Sequence, residues 1–294
     1  MLYTPYRNFL AKVFPQFKRV RKLPLSGGMT CPNLDGTKGI LGCTYCNNKS
    51  FSPVWDLAHV SVREQLETRI PLLRAKYPEA GILAYFQPYT NTYAPVERLR
   101  EIFTPAFEHP EIAGVAVGTR PDCLPEETVA LLAEFNQKKP VIVEIGLQTA
   151  NDKTLQDIHR GHTVGDFKEA VRRVRARGLW VTTHLILGLP GETISDFIET
   201  ARVVRDLDIS AVKIHPLHIV RGTLMAEQYA AGEFTLLSFD AYCDAVASVI
   251  RVLGPGVAIE RFSGESPDDL LIAPDWSGNR NQIVARVEAN LQSF

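Results

Sequence analysis

Short apolar segments alternate with amphipathic segments through most of the chain. The apolar segments are rich in β-branched and aromatic residues and predict strands at residues 81–88, 114–121, 141–149, 180–190, 210–220 and 256–262. Between them, apolar residues recur at three- and four-residue steps and predict helices over residues 60–77, 96–108, 126–138, 167–177, 194–207 and 239–253. This order predicts an α/β fold of parallel strands covered by helices, either an open doubly wound sheet or a barrel.

The predicted strands end in polar residues or in Gly and Pro. The sequences at these ends are QPYTN, TRPD, LQT, GLPGE and HPLH. In both architectures ligands bind at the carboxyl ends of the strands, so we expect the functional site there. We predict one domain with an N-terminal extension and a C-terminal helix near residues 281–291.

Charge is distributed unevenly along the chain. Its 294 residues carry a net charge of −1, which excludes a globally basic nucleic-acid-binding protein. The first acidic residue is Asp35, so residues 1–22, which hold six basic and several aromatic residues, form a basic, aromatic arm. Such an arm fits either an anionic partner or a structural role across the domain. No apolar run reaches the length of a membrane span, and we predict a cytoplasmic location without a membrane partner.

Three of the five cysteines, Cys31, Cys43 and Cys46, share one Gly-rich loop with the spacing C-x11-C-x2-C. Three thiolates can bind a soft metal centre. A structural zinc site normally needs a fourth ligand, for which His59 is the nearest histidine. Three cysteines also suit an iron–sulfur cluster that leaves one iron open. The residues alone leave the zinc site and the cluster as alternatives.

The C-T-Y-C end of this loop resembles the cluster loop of radical S-adenosylmethionine (radical SAM) enzymes, although the first gap is eight residues longer than their usual C-x3-C-x2-C. TRPDCLPE, EIGLQT, RGHT, LILGLPGET and HPLHIVRGT resemble, in order, the branch that contains the Elongator catalytic subunit. The resemblance covers about residues 20–290, and the chain also resembles the short YhcC/YtqA type of radical SAM protein, which consists of little beyond the core. The resemblance implies a partial (βα)6 TIM-like barrel over residues 23–294, with a C-terminal extension.

The resemblance also implies roles for individual residues. Cys31, Cys43 and Cys46 would bind a [4Fe–4S] cluster, and Tyr45 would lie against the adenine of SAM. Cys123 is a candidate hydrogen-atom donor or substrate contact. Equally, Cys123 could itself be a small buried residue of the core. The further candidates for binding SAM are Gln87, Thr90, Asn91, Arg120, Glu144, Gln148, Arg160, His184 and Gly188.

Several of these assignments have a structural alternative. Glu144 would accept hydrogen bonds from the ribose of SAM, or would form an internal pair with Arg120 or another base. Arg160 would hold the SAM carboxylate through a bidentate fork, or would only close a helix. His184 is a strand histidine, which more often belongs to a satisfied core than to a binding site.

The reaction that the resemblance implies is reductive cleavage of SAM to a 5′-deoxyadenosyl radical, which takes a hydrogen atom from the substrate. We predict the C5 side chain of a wobble uridine in tRNA as substrate, with a reducing partner such as flavodoxin or ferredoxin. The alternatives are a radical SAM enzyme for a small metabolite or cofactor precursor, and a non-enzymatic metal-binding protein. Cys123 and Cys243 are too few for a second cluster, which argues against methylthiotransferases.

Overall fold

The fold described here comes from a computed structural model that describes residues 2–264 and 266–293. Its strands are β1 (Thr4–Pro5), β2 (Val20–Leu25), β3 (Gly81–Phe86), β4 (Ile112–Thr119), β5 (Val141–Gln148), β6 (Trp180–Leu187), β7 (Ala211–Pro216), β8 (Ile219–Val220), β9 (Ala258–Arg261) and β10 (Leu271–Ala273). Its helices are α1 (Tyr6–Val13), α2 (Val62–Lys76), α3 (Val96–Glu108), α4 (Glu126–Asn136), α5 (Asp152–Asp157), α6 (Val164–Ala176), α7 (Ile194–Asp206), α8 (Leu224–Ala230), α9 (Phe239–Leu253) and α10 (Arg280–Gln292). None of the described helices is long and apolar enough to cross a bilayer.

Eight strands form one sheet in the order β1-β9-β7-β6-β5-β4-β3-β2, and every neighbouring pair in it is parallel. The sheet is curled into a half-barrel. The strands β2 to β6 are each followed by helical chain, as parallel pairing requires, and β7 is followed by the short strand β8 and then by α8 and α9. The predicted partial (βα)6 barrel is therefore confirmed.

The main core lies between the outer face of the sheet and the surrounding helices. On β3, Ile82 and Phe86 face this layer, and the Phe86 ring lies 4.9 Å from the Phe103 ring of α3. The Phe107 ring stacks on Phe135 of α4 with centroids 4.3 Å apart. Because apolar side chains fill this outer layer, the inward-facing positions of the strands are free to carry polar groups.

The N-terminal arm is part of the barrel. The helix α1 packs across the amino ends of the strands, where Phe9 and Phe14 join a buried cluster with Leu83 and Ile142. Phe14 is fully buried, and a Cβ added to Gly114 would lie 2.6 Å from its ring. The aromatic residues of the arm therefore close the floor of the barrel, which is the structural one of its two predicted roles.

The predicted boundary between residues 22 and 23 is wrong in detail, because β2 runs across it. VRKLPL was missed as a strand because its charged residues and proline break the apolar pattern that marks the other strands. Lys22 points into the barrel, where Glu260 of β9 lies 2.7 Å from its ammonium group. This ion pair joins β2, at one edge of the sheet, to β9, which lies next to the other edge strand β1.

Candidate functional site

A cavity opens at the carboxyl ends of the barrel strands. The loop after β2 contributes Cys31, Cys43 and Cys46 to its lining, so the three predicted metal ligands share one cavity. The opposite wall comes from β7, β9 and the segments that follow them. The floor is the closed amino end of the barrel beneath α1. The strand ends thus meet where the sequence placed the site.

N–H donors surround the sulfur of Cys43, the most buried of the three thiols. The Nδ2 atom of Asn33 lies 3.3 Å from this sulfur and also donates to the carbonyl oxygen of His159, at 2.7 Å. Arg160 reaches the same sulfur with Nη1 at 3.7 Å. Amide and guanidinium N–H groups that contact a cysteine sulfur are suitable outer partners for a metal-bound cysteine.

The donor set fits an iron–sulfur cluster better than zinc. Among residues 2–264 and 266–293, no three His, Cys, Asp or Glu side chains converge on a point that could hold one metal ion. His59, the proposed fourth zinc ligand, is exposed and outside the cavity. A four-iron cluster does not require the three sulfurs to converge on one point, because each thiolate binds its own iron. Burial and the neighbouring thiols Cys43 and Cys31 raise the pKa of Cys46 to about 12, so metal binding must supply the energy of its deprotonation.

Arg120 lies at the end of β4 and is almost fully buried. Its Nε and Nη2 atoms each donate to Asp122 at 3.0 Å, and Lys38 lies 2.6 Å from the same carboxylate. Burial acts to raise the pKa of Asp122, but the hydrogen bonds and charge of Arg120 and then Lys38 hold it below its usual value. The third nitrogen of Arg120, Nη1, is buried without a hydrogen-bond partner. Arg120 therefore retains one donor beside the cavity.

Arg160 and Tyr45 both line the cavity. Arg160 donates from Nη2 to the carbonyl oxygen of Gly146 at 2.9 Å, which fixes the guanidinium beside the cysteine loop. Burial raises the pKa of Tyr45 well above its usual value, so this phenol stays neutral. Their positions permit the predicted contacts with SAM, which remain predictions.

Glu144 lies in the centre of the barrel and its side chain is fully buried. Lys22 approaches it at 2.5 Å, Lys213 of β7 at 2.6 Å and the Nε2 atom of His184 at 3.1 Å. The internal partner was expected to be Arg120 or another base; Arg120 is held by Asp122, and the bases found are the two lysines. Of the two interpretations of Glu144, the structure supports the internal pair, formed with lysines.

The charges around Glu144 decide its protonation and that of its neighbours. Burial opposes ionisation, but Lys213 and then Lys22 hold the pKa of Glu144 well below its usual value. Burial and the charge of Lys213 lower the pKa of His184 to about 4, so this imidazole is neutral at pH 7. Tyr85 accepts a hydrogen bond from Lys213 at 3.3 Å. These groups form a polar floor beneath the cavity, which the sequence analysis missed.

The signal for this floor was present in the sequence. Lys213 interrupts the apolar strand AVKIHP, just as Glu144 interrupts VIVEIGLQ. Two opposite charges at interior positions of parallel strands, here β5 and β7 on either side of β6, indicate a buried pair. Lys22 was hidden because the arm was treated as separate from the barrel.

The remaining candidates divide between the cavity and its surroundings. Gln87, Thr90 and Gln148 line the cavity, and Gln87 donates to the carbonyl oxygen of Phe51 at 2.9 Å. Asn91 is buried behind the wall, where its Nδ2 donates to the carbonyl oxygens of Pro88 and Gly118 at 3.0 and 3.1 Å. Its predicted contact with SAM does not match this position.

Two other candidates lie outside the cavity. Gly188 adopts a φ of +95° beside Leu237 and does not line it. Cys123 is buried and lines a separate recess with Tyr93 and Lys38, and burial raises the pKa of its thiol to about 12. The proposed catalytic contact of Cys123 is therefore not supported by its placement. Cys243 is fully buried in the core, as predicted.

A parallel half-barrel whose cavity gathers three cysteines defines a cluster-binding α/β barrel protein. Residues 38–204 match the Radical SAM superfamily, and residues 209–293 match the radical SAM C-terminal domain. The chain belongs to the radical SAM superfamily, and this membership supports an enzyme. It also implies a [4Fe–4S] cluster and SAM as cofactors.

The chain is similar to proteins of the predicted type. It is 42% identical to Protein YhcC of Escherichia coli over 265 residues, which cover 90% of this chain and 84% of that protein. A tRNA uridine(34) acetyltransferase of Dehalococcoides mccartyi is 27% identical over 157 residues, or 52% of this chain and 34% of that enzyme. The solved structure of Methanocaldococcus infernus Elp3 has the same fold, with a TM-score of 0.68 at 18% identity, over 93% of this chain and 63% of that one.

Proposed function

We propose that this protein is a radical SAM enzyme that modifies tRNA at the C5 side chain of the wobble uridine. The observation that carries the reaction is the arrangement of Cys31, Cys43 and Cys46 in one cavity, with amide and guanidinium donors on the Cys43 sulfur. The substrate is suggested by the similarity to a tRNA uridine(34) acetyltransferase. The chain aligns with a third of that enzyme, so we propose a different change to the same position of the tRNA.

The residues of the barrel prepare the cavity for this chemistry. Cys31, Cys43 and Cys46 would hold the cluster, which would supply the electron for reductive cleavage of SAM. Asn33 and Arg160 contact the sulfur of Cys43 through N–H donors and orient the loop. Phe14 and the rest of the α1 cluster fill the opposite end of the barrel with apolar side chains, which excludes water from that end. Exclusion of water protects a reactive intermediate.

In this proposal tRNA contacts the rim of the cavity and not the N-terminal arm. The arm packs under the amino ends of the strands, whereas the cavity opens at their carboxyl ends. At the rim, Lys49 is exposed with its ammonium 4.5 Å from the Trp55 ring. Arg221 is also exposed, and its carbonyl oxygen accepts from Asn47 of the cysteine loop at 3.0 Å. Basic groups with aromatic neighbours suit phosphates and unstacked bases.

The test begins with the cofactor reaction. Protein reconstituted without oxygen is given dithionite and SAM, and 5′-deoxyadenosine is measured. We expect formation by the wild type and none by Cys43→Ala, with Cys243→Ser as a matched control outside the cavity. Colourless protein that holds zinc and leaves SAM intact would identify a metal-binding protein without this activity.

The substrate is tested with bulk tRNA from a strain that lacks the gene. We expect one modified nucleoside to change mass when this tRNA is incubated with enzyme, SAM and a reducing partner such as flavodoxin or ferredoxin. Formation of 5′-deoxyadenosine with no change in tRNA, and no salt-dependent tRNA complex, would favour a small metabolite or cofactor precursor.

A further inference from the structure

Arg261 is the last residue of β9 and lines the cavity on the wall formed by β7, β9 and the segments that follow them. Within the described part of the chain, its guanidinium forms no ion pair and no hydrogen bond, and its Nε atom is buried without a partner. The other cations of the cavity and its floor all have partners. Lys22 and Lys213 contact Glu144, Arg120 contacts Asp122, and Arg160 contacts Cys43.

Arg261 therefore carries a positive charge that no described acidic residue balances at short range. A guanidinium stays protonated in proteins, so it cannot lose this charge when it is partly removed from water. Leaving such a group without a partner costs free energy. A partner supplied from the cavity would recover that free energy, and the planar fork of Arg matches a carboxylate or phosphate bidentately.

Two histidines lie on the same wall. His215 and His218 line the cavity, and the charge of Arg261 acts on both imidazoles. The Nε2 atom of His218 is also buried without a partner. A Cβ on Gly264 would lie 2.8 Å from Cε1 of His218, so glycine leaves room for the imidazole here. A neutral imidazole can donate one N–H to the same anion that Arg261 binds.

We propose that Arg261 and His218 form an anion-binding subsite that holds a carboxylate or phosphate group of the substrate. This inference rests on the proposed function, because it assigns the substrate rather than SAM to this wall. Arg160, beside the cysteine loop, is already the candidate for the SAM carboxylate. The substrate would therefore carry an acidic group at a fixed distance from the reacting carbon, held by the wall formed by β7 and β9.

The subsite is tested by anion binding, separately from catalysis. Reconstituted holoenzyme with SAM is titrated calorimetrically with acetate and with inorganic phosphate. We expect saturable binding by the wild type and by Arg172→Gln, which removes an exposed arginine of α6. Arg261→Gln should bind the anion about tenfold more weakly or worse, because it removes a charge-assisted hydrogen bond. The tighter of the two probes identifies the acidic group as carboxylate or phosphate.

Two further variants make the result specific. Arg261→Lys keeps the charge without the planar fork and should recover part of the anion affinity. It also provides the comparison with wild type if Arg261→Gln is too unstable to titrate. His218→Asn should weaken the anion less than Arg261→Gln. Equal anion affinity in wild type and Arg261→Gln would overturn the subsite. Loss of SAM affinity in Arg261→Gln without loss of anion affinity would overturn it too, by assigning Arg261 to SAM.

The outcome is separable from the proposed reaction. Wild-type 5′-deoxyadenosine formation is measured on the same preparation. If anion binding depends on Arg261 but the protein does not cleave SAM, the subsite stands and the proposed reaction is contradicted. If the wild type cleaves SAM but wild type and Arg261→Gln bind the anion equally well, the proposed reaction stands and the subsite is contradicted.

Discussion

The ammonium group of Lys22, on the edge strand β2, lies 2.5 Å from the carboxylate of Glu144 on the central strand β5. The two residues are separated by 122 positions in the sequence. Their pairing crosses the interior, and the second contact of Lys22, with Glu260, ties the edge strand β2 to β9, which lies next to the other edge strand β1. Ion pairs between side chains inside the half-barrel thus connect β2 with β9, two strands that share no backbone hydrogen bonds.

We predict that Glu144→Gln destabilises the protein by roughly 3–5 kcal/mol, because it leaves two buried lysines with one acidic partner, Glu260. The measurement is the urea midpoint and slope at pH 7.5 for the cluster-free protein. The matched control is Glu134→Gln, which removes an exposed pair with Arg100 and should leave the midpoint almost unchanged. An unaltered midpoint in Glu144→Gln would mean that the network does not hold the barrel together.

The pKa of His184 predicts how stability depends on pH. Its folded pKa of about 4 lies below the ordinary 6.5, so the unfolded state binds more protons between these values. The stabilising contribution is therefore complete above about pH 6.5 and is lost as pH falls toward 4. His184→Asn should make unfolding less sensitive to pH over this window. Denaturation at pH 7.5, 6 and 5 checks this, and equal slopes in the variant and wild type would contradict it.

The sequence was sufficient for most of the fold. The helices α3 and α9 match their predicted bounds, because their apolar stripes start and stop sharply. The short helices α1, α5 and α8 were missed, since six to eight residues give too little periodicity. The strand β2 was missed because Arg21, Lys22 and Pro24 break its apolar pattern. In each case the tertiary contacts, rather than the local pattern, determine the element.

The site was predicted less completely than the fold. The three cysteines, Tyr45 and Arg160 were placed in one cavity by their motifs, and the structure brings them together. Cys123 and Gly188 were misplaced because a motif specifies a position on the chain but not the direction of a side chain. Arg261 was missed because a single arginine at a strand end carries no local signal.

The floor of the barrel depends on Phe14. We predict that Phe14→Ala costs about 3–5 kcal/mol, because a fully buried ring leaves a cavity against Gly114 and the strand ends. Leu72→Ala, which truncates an exposed leucine of α2, is the control and should change stability little. Urea unfolding of both variants decides the point. Equal stability of Phe14→Ala and wild type would show that α1 is a loosely attached arm.

The amide of Asn33 is predicted to tune the cluster. Asn33→Asp removes the donor on the Cys43 sulfur and adds a negative charge beside it. We expect reconstituted Asn33→Asp to hold less iron and to have a more negative reduction potential than the wild type, because hydrogen bonds to sulfur stabilise the reduced cluster. Iron content and a redox titration followed by electron paramagnetic resonance measure both. Asn136→Asp, whose amide oxygen accepts from Val141 far from the cysteines, is the control.

The position of the arm yields the sharpest test of how tRNA approaches. Lys18 and Arg19 are exposed near the amino ends of the strands, whereas Lys49 and Arg221 are exposed at the rim of the cavity. Lys49→Ala/Arg221→Ala should weaken tRNA binding and reduce the slope of log K against log salt by about 1 for each phosphate that these side chains neutralise. Lys18→Ala/Arg19→Ala removes the same charge from the other end.

The two double variants separate local contact from net charge. If tRNA binds at the rim, the variant of the arm should keep the wild-type salt slope, because charges beyond a Debye length of about 10 Å are screened at 0.1 M salt. Filter binding at several salt concentrations measures both slopes. Equal losses in the two variants would indicate non-specific attraction. A loss only in the variant of the arm would place the tRNA at the closed end of the barrel, away from the cysteines, and would contradict a reaction on tRNA in this cavity.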